Sequence, residues 1–264
     1  MTIPRSGFDP ASAFSLAGQC VAVTGGGNGI GRGIAIGMAR AGAHIAILDR
    51  NKDAARNVAQ EIREEGYEAL ALTLDVSDEG AVEAAFAQIE NWKGRLDCLI
   101  NNAGMAIRHP TIDLSLQDWE AVLKVNLTGV FLCARAAARL MLPHKSGNII
   151  NTASIMGLSG GGLYPNISYQ TTKGALINLT RALAVEWAPQ NIRVNAIAPT
   201  WVRTDFVKPL TDNPELLARM KAMTPMGRIA EVEDIVGGVI FLASPAAAMV
   251  TGHSLAIDGG FLAQ

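Results

Sequence analysis

The chain has 264 residues, of which 49% are hydrophobic and 17% charged, and its formal net charge is −2. This length and apolar content fit an α/β domain with a large core, and the near-neutral charge argues against a nucleic-acid groove or attraction to an anionic membrane. Cys20, Cys98 and Cys133 lack CxxC or CxxH spacing, so we expect core thiols and no metal site. The N-terminus has no apolar signal region and no uncharged run is long enough for a membrane span, so we expect a soluble, cytoplasmic protein.

Short apolar runs alternate with amphipathic stretches along the chain. The predicted strands cover 20–24, 44–48, 69–74, 97–101, 147–153, 192–198 and 254–258. The predicted helices cover 30–41, 52–65, 78–92, 118–142, 166–188 and 231–243. Alternation of this kind predicts βαβ units with right-handed crossovers. We therefore expect one doubly wound α/β domain of the Rossmann type over 1–264, with a parallel sheet covered by helices on both faces.

Two segments depart from this alternation. Residues 1–14 are expected to be an N-terminal extension. Residues 199–230 contain several prolines, lack a strand pattern and follow a strand, where α/β proteins place ligand loops. We expect this segment to be a mobile substrate lid with a short helix around 213–223, and an ordinary surface connection is the alternative.

A glycine-rich turn, TGGGNGIG, follows the first predicted strand and opens the first helix. It does not fit the strict GxGxxG spacing, but Gly25, Gly29 and Gly31 fit GxxxGxG. Glycine allows a sharp turn and a close approach of the backbone to a pyrophosphate, and the helix N-terminus offers free N–H groups. We therefore predict a phosphate site that also includes Asn28 and Ile30, with a simple tight turn as the alternative.

Asp49 ends the second predicted strand, about 20 residues after the glycines. At that distance a carboxylate can accept hydrogen bonds from the adenosine ribose hydroxyls, and it would repel a 2′-phosphate. Arg50 could hold such a phosphate, but the glycine turn adds no lysine or arginine. The pattern therefore favours NAD over NADP.

The third and fourth predicted strands also end in residues that suit a cofactor edge. Asp75 and Val76 could meet the adenine, although Asp75 could equally be a helix cap or turn residue. Small residues and amides at Asn102, Ala103 and Gly104 suit a backbone that lies along the cofactor, with a plain turn as the alternative.

Tyr169 and Lys173 lie on one face of a predicted helix at i, i+4 spacing. Lowering a tyrosine pKa from 10 to about 7–8 takes about 3–4 kcal/mol, and an ammonium about 4 Å away supplies on the order of 4 kcal/mol at an effective dielectric near 20. Burial of the phenol would oppose this. Ser154 ends a strand and could bind a substrate oxygen. Asn126 lies in an apolar helix and either satisfies a helix carbonyl or holds a proton-relaying water.

Together these residues resemble the short-chain dehydrogenase/reductase family from about residue 18 to 260, through TGGGNGIG, NNAG, YQTTK, RVNAIAP and the terminal DGG. The resemblance implies a seven-stranded parallel sheet and a catalytic tetrad of Asn126, Ser154, Tyr169 and Lys173. By this resemblance Tyr169 is the acid/base, Ser154 orients the substrate oxygen, and Asn126 supports a proton relay through water. Lys173 binds the nicotinamide ribose and lowers the tyrosine pKa.

The resemblance also places Tyr169, Lys173, Pro199, Thr200, Val202 and Thr204 against the cofactor. Two features depart from the family pattern. The gap between Ser154 and Tyr169 is longer than usual, and Thr200 stands where the family commonly has glycine. These departures mean that the family pattern does not determine the path of the backbone along the cofactor after the sixth strand.

Segments such as FSLAG and TPMGRIAEVEDIVGG are similar to the polyol and sugar-acid dehydrogenase branches of the family. We expect an NAD-dependent enzyme that interconverts a secondary alcohol of a polyol, sugar or sugar acid and its ketone. The alternatives are a 3-oxoacyl-thioester reductase and a non-catalytic nucleotide-binding regulator. The expected substrate residues are Arg108, His109, Ser154, Gly161, Leu163, Trp201 and Phe206, with a solvated loop as the alternative for Arg108 and His109. The long apolar helices 118–142 and 166–188 predict a homo-oligomer, a dimer or tetramer.

Overall fold

The computed structural model of the chain describes residues 9–264, where strands alternate with helices. The strands are β1 (Cys20–Thr24), β2 (His44–Asp49), β3 (Ala69–Thr73), β4 (Cys98–Asn101), β5 (Gly147–Thr152), β6 (Ile192–Pro199) and β7 (Ser254–Ile257). They form one parallel sheet in the order β3-β2-β1-β4-β5-β6-β7. The predicted seven-stranded parallel sheet is confirmed. The strand order reverses between β1 and β4, which is where such sheets leave a crevice for ligands.

The helices match the predicted stretches within one or two residues, apart from the short Pro10–Ala13 and Lys208–Thr211, which were not predicted, and the predicted helix 118–142. They are α1 (Pro10–Ala13), α2 (Gly29–Arg40), α3 (Lys52–Glu64), α4 (Glu79–Lys93), α5 (Leu116–Leu123), α6 (Gly129–Met141), α7 (Ile167–Trp187), α8 (Lys208–Thr211), α9 (Pro214–Ala222) and α10 (Val232–Ala243). Within the proposed N-terminal extension, residues 1–8 lie outside the described part of the chain, and the short α1 follows them.

The sheet is covered on both faces, as predicted. One apolar cluster packs α2, α3 and α10 against the sheet through residues such as Ile34, Val58 and Val239. The other packs α4, α6 and α7 against the opposite face, with Phe86 and Leu132 among its members. A sheet buried on both faces needs continuous apolar strands, and every residue of β1 is buried. The three cysteines are buried free thiols, as expected.

The predicted helix 118–142 is not continuous. Residues 124–128 form a π-helical turn between α5 and α6, and π-turns occur mostly as single insertions at functional sites. By length and composition, Leu116–His144 is the one stretch among residues 9–264 that could cross a membrane, but 56% of its apolar window is buried inside the fold. Its packing is that of a core helix.

The segment 199–230, which was predicted to be a substrate lid, contains backbone pairing and two short helices. Its first residue, Pro199, is the last residue of β6 and pairs with Ile257. An isolated parallel bridge joins Val202 to Ala230 and closes the base of the segment. Between these points lie α8, which the sequence did not predict, and α9, which matches the predicted short helix.

Candidate active site

A cleft of about 400 Å³ lies at the carboxyl ends of the strands and runs from the glycine turn to α7. It is within the range of small-molecule sites. All predicted cofactor residues except Gly31 line it: Gly25, Asn28, Gly29, Ile30, Asp49, Arg50, Asp75, Val76, Asn102, Ala103, Gly104, Tyr169, Lys173, Pro199, Thr200, Val202 and Thr204.

The glycines between β1 and α2 leave room that a side chain would fill. Gly25 has φ +61°, and a Cβ there would lie 2.9 Å from the Ala103 Cα. Gly31 lies outside the cleft wall, but a Cβ there would lie 2.1 Å from the Gly25 carbonyl oxygen. Gly31 is therefore required for the close packing of α2 against the turn. The first turn of α2 is left open toward the cleft, as a pyrophosphate site requires.

Asp49 is fixed at the rim of the same cleft. One carboxylate oxygen accepts the Gly27 N–H at 2.9 Å and the other accepts the Asn51 N–H at 2.9 Å. A Cβ on Gly27 would lie 2.8 Å from that carboxylate. Each oxygen retains a lone pair for a ribose hydroxyl. Arg50 follows it on the cleft wall and is exposed.

The end of β4 supports the glycine turn. The Asn102 side chain donates to the carbonyls of Thr24 at 3.1 Å and Gly25 at 3.2 Å. The Thr24 hydroxyl in turn accepts the backbone N–H groups of Asn102 and Ala103. At the end of β3, the Asp75 carboxylate accepts the Ser77 N–H at 2.9 Å and therefore shapes a turn as well as lining the cleft.

These features fit a dinucleotide cofactor. The glycine turn leaves backbone space, the start of α2 faces the cleft, and the Asp49 carboxylate stands at the far rim. The Thr200 Oγ1 and Thr152 Oγ1 atoms are buried on the cleft wall without a hydrogen-bond partner among residues 9–264. Buried polar groups normally have partners, so these atoms indicate a polar ligand.

Ser154, Tyr169 and Lys173 meet at the other end of the cleft. The Lys173 Nζ lies 5.3 Å from the centroid of the Tyr169 ring and donates to the Thr152 carbonyl oxygen at 2.5 Å. The Ser154 hydroxyl accepts the Met156 N–H at 3.1 Å, which leaves its proton free for another acceptor.

The expected lowering of the Tyr169 pKa is not what the structure gives. Burial raises the pKa of Tyr169 to about 12, and the Ser154 hydroxyl and the Arg108 charge only partly oppose the rise. Burial also lowers the pKa of Lys173 to about 8. The desolvation of both groups outweighs the attraction that the i, i+4 spacing suggested. Tyr169 is therefore a protonated phenol at neutral pH in the protein alone.

Asn126 does not reach the cleft. It lies in the π-turn, fully buried, where its Oδ1 accepts the Met105 N–H at 2.8 Å and its Nδ2 donates to the Met105 carbonyl at 2.9 Å. A longer contact at 3.2 Å joins Nδ2 to the Thr172 hydroxyl on α7. The amide therefore clamps the segment after β4, whose Met105 lines the cleft, against the helix that carries Tyr169.

Aromatic side chains form the substrate end of the cleft. The Arg108 guanidinium stacks on Tyr164 at 5.7 Å and on Phe206 at 5.3 Å from the ring centroids. The Trp201 indole N–H donates to the Tyr164 hydroxyl at 3.1 Å, and the Tyr169 ring lies 5.9 Å from Phe206. The Arg108 Nε is buried without a partner among residues 9–264. A cation with a free donor therefore faces the cleft.

The structure brings Arg108, Ser154, Trp201 and Phe206 together but not the other predicted substrate residues. His109 is exposed on the loop, and Leu163 packs into the apolar cluster under the lid. Gly161 has φ +74°, and a Cβ there would meet the Gln170 Nε2 at 2.5 Å. All three lie outside the cleft wall, because neighbours along a loop do not point the same way.

Sequence reasoning missed several cleft residues. Tyr164 and Asn166 lie in the gap between Ser154 and Tyr169, which no motif covers. The sequence offered one signal for Asn166, since it is a polar residue directly before the helix that carries Tyr169 and Lys173. Other missed lining residues are Leu74, Met105, Val125, Thr152, Ala153, Ile155, Met156, Asp205 and Val207.

The chain is similar to known proteins along most of its length. The family model described as enoyl-(acyl carrier protein) reductase matches residues 25–262. A galactitol 2-dehydrogenase (L-tagatose-forming) of Cereibacter sphaeroides is 40% identical over 254 residues, 96% of this chain and 99% of that protein. A gluconate 5-dehydrogenase of Gluconobacter oxydans is 37% identical over 248 residues, 94% of this chain and 96% of that protein. The crystal structure of a gluconate 5-dehydrogenase from Burkholderia cenocepacia in complex with NADP and tartrate has a TM-score of 0.93 at 37% identity and covers 97% of this chain and 100% of that one.

Proposed function

Because the chain belongs to the short-chain dehydrogenase/reductase family and is an oxidoreductase that acts on CH–OH groups, we propose that it interconverts a secondary alcohol of a polyol, sugar or sugar acid and the corresponding ketone. The observation that carries this proposal is the meeting of Ser154, Tyr169 and Lys173 in one cleft with the glycine turn and Asp49. Its relatives of the polyol and sugar-acid branches support the substrate class.

In this proposal the nicotinamide cofactor, when bound, supplies or accepts the hydride. The glycine turn and the N-terminus of α2 hold the pyrophosphate, Asp49 holds the adenosine ribose, and Lys173 holds the nicotinamide ribose. Ser154 donates a hydrogen bond to the substrate oxygen and so orients the carbinol carbon. Tyr169 exchanges the proton of that oxygen.

The protonation state of Tyr169 gives the two directions opposite pH dependences. With its pKa raised to about 12, Tyr169 is a phenol at neutral pH and is ready to donate a proton to a ketone oxygen. Oxidation of the alcohol needs the phenolate, whose fraction rises about tenfold for each pH unit below the pKa. Lys173, whose pKa burial lowers to about 8, is still an ammonium at neutral pH. Its Nζ lies 5.3 Å from the centroid of the Tyr169 ring, and in this proposal its charge favours that phenolate.

We propose NAD(H) as the preferred cofactor. The Asp49 carboxylate is fixed by two backbone N–H groups at the rim, where a 2′-phosphate would meet a like charge. NADP is the competing cofactor, since the B. cenocepacia relative was crystallised with it and Arg50 lies next to Asp49 on the cleft wall. Measured kcat/KM values for NAD+ and NADP+ with one substrate decide between them.

Arg108 supports a sugar acid among the possible substrates. Its guanidinium is held between two aromatic rings, and its Nε has no partner among residues 9–264. An arginine held in this way can bind a carboxylate through charge-assisted hydrogen bonds.

The segment around α8 and α9 carries Phe206 over the same end and is proposed as the substrate lid.

The function is tested by assaying the purified protein with NAD+ and NADP+ against a panel of polyols and aldonates. We expect cofactor reduction with at least one of them. Absence of cofactor reduction, together with efficient NADPH-dependent reduction of an acetoacetyl thioester, would favour a 3-oxoacyl-thioester reductase, the activity named for a relative from Aquifex aeolicus that is 37% identical. Binding of cofactor without turnover of any substrate would favour the non-catalytic regulator.

A further inference from the structure

Asn166 occupies the N-cap position of α7 without capping the helix. Asparagine is favoured at this position because its side chain accepts a backbone N–H of the first turn. Asn51 and Asn213 do so at the starts of α3 and α9, each accepting two N–H groups at 3.0–3.2 Å. Asn166, with φ −161° and ψ 46°, makes no such bond.

The asparagines that cap their helices and those that do not differ in whether they line the cleft. Asn51 and Asn213 do not line the cleft, whereas Asn166 and Asn28, the N-cap of α2, line it and do not cap their helices. Asn28 is exposed and leaves the start of α2 open at the phosphate end. Asn166 is at the opposite end, where the substrate residues lie.

Asn166 is also buried, with 3% of its surface exposed, and its Oδ1 has no hydrogen-bond partner among residues 9–264. An unpaired buried amide destabilises a protein, so such a group normally serves a ligand or another function. Asn166 lies three residues before Tyr169 in the chain, and both side chains line the cleft.

We propose that Asn166 is a specificity-determining residue that hydrogen-bonds a substrate hydroxyl on the carbon next to the reacting carbon. This inference rests on the proposed function. Because both residues line the cleft and lie close together in the chain, we assign Tyr169 to the oxygen that reacts and Asn166 to the oxygen beside it. The amide Oδ1 accepts the proton of that hydroxyl and Nδ2 can donate to its oxygen, so the group matches both roles of a hydroxyl.

The chemistry of the substrate classes makes this assignment selective. Polyols and sugar acids carry a hydroxyl on the carbon beside the reacting centre, whereas a 3-hydroxyacyl thioester has a CH2 group there. A site built to hydrogen-bond a hydroxyl discriminates strongly against the analogue that lacks it, because the buried polar group is then left unpaired. Asn166 therefore selects vicinally hydroxylated alcohols.

The test compares 2,3-butanediol with 2-butanol, which share a carbon skeleton and differ in the adjacent hydroxyl, alongside the best polyol of the panel. For the wild-type enzyme we expect kcat/KM to be at least about tenfold higher for the diol. In Asn166→Leu, which preserves side-chain size, this ratio should fall about tenfold or more while kcat/KM for 2-butanol stays within about threefold. Asn166→Ser, which replaces the amide with a smaller group that still donates and accepts a hydrogen bond, should recover part of the ratio.

Ser168→Ala is the matched control. Ser168 lies in the same turn and is fully buried, with an Oγ that has no partner among residues 9–264, but it does not line the cleft. Its diol-to-monool ratio should equal that of the wild type. The melting temperature of ligand-free Asn166→Leu should equal or exceed that of the wild type, because the variant removes an unpaired buried amide.

Other outcomes overturn the inference. Equal losses for both alcohols would make Asn166 a support for Tyr169, and a lower melting temperature for ligand-free Asn166→Leu would show a structural partner. A wild-type enzyme that oxidises diol and monool equally well would refute the selectivity and leave the proposed function intact. A wild-type enzyme that oxidises neither these alcohols nor the polyol panel would refute the proposed function itself.

Discussion

Replacing Lys173 with methionine should stabilise the protein while removing its activity. Burial lowers the pKa of Lys173 from 10.5 to about 8, which corresponds to about 3 kcal/mol of destabilisation of the charged form. At pH 7 the side chain is nonetheless charged, so the folded protein bears this full destabilisation. Methionine has a similar length and no charge. It loses the hydrogen bond from the ammonium to the Thr152 carbonyl, worth about 1.5–3 kcal/mol, so the net gain at pH 7 is up to about 1.5 kcal/mol.

The stability difference between Lys173→Met and the wild type should depend on pH in a specific way. Between pH 8 and 10.5 the unfolded lysine keeps its proton and the folded one has lost it, so the stability of the wild type rises with pH over that range. The advantage of Lys173→Met should therefore be largest below pH 8 and should shrink by about 2 kcal/mol on going from pH 7 to pH 10. Urea unfolding at pH 7, 9 and 10 measures it.

Lys221→Met, which replaces an exposed lysine on α9, is the control and should change stability little at any of these pH values. The alcohol oxidation rate of Lys173→Met should fall by about two orders of magnitude or more, as expected when proton transfer is impaired. A variant less stable than the wild type at pH 7, or a stability difference that does not change with pH, would refute the argument from burial.

Four further predictions concern turnover, cofactor, substrate and assembly. Tyr169→Phe should lower kcat by about 10²–10⁴-fold while the Kd for the cofactor, measured by fluorescence titration, changes little; substantial residual turnover would exclude Tyr169 as the proton donor. Asp49→Asn should lower the NAD+ to NADP+ ratio of kcat/KM by about tenfold, since it removes one charge near a 2′-phosphate, and an unchanged ratio would place the discrimination elsewhere. Arg108→Met should raise KM for aldonates by about tenfold or more and leave that for uncharged polyols within about threefold, whereas equal changes would contradict a carboxylate contact. Light scattering at micromolar concentration should show a dimer or tetramer, supported by Phe131 and Val185, which are 45% and 79% exposed on α6 and α7; a monomer would remove that inference.

The sheet was predictable because its signals are local. Seven short apolar runs separated by helical patterns fix the number and direction of the strands, and the strand ends then place Asp49, Asp75 and Asn102 at one edge. The π-turn around Asn126 was not predictable, since one inserted residue barely changes a 3.6-residue pattern. It also redirects the Asn126 amide to the Met105 backbone, which composition and spacing could not indicate.

The Tyr169 and Lys173 pair shows a second limit. Spacing on a helix determines that two side chains are neighbours, but their pKa values depend on how much water the surrounding residues exclude. From spacing alone, only the Coulomb attraction between the two side chains can be compared with the energy needed to lower the tyrosine pKa. In the structure the burial of both groups dominates. It raises the pKa of Tyr169 and lowers the pKa of Lys173, so both shifts favour the neutral form of the side chain.

The substrate end was the least predictable part, and Asn166 explains why. In a sequence, asparagine before a helix indicates a cap, and for Asn51 and Asn213 that interpretation is correct. Only the backbone angles at Asn166 turn the same residue type away from its helix and into the cleft, where its Oδ1 remains without a protein partner among residues 9–264. Residue type therefore predicts the local role that is commonest for it. A ligand contact can be inferred only where the structure shows that a residue does not fill this common role, as Asn166 does not cap its helix.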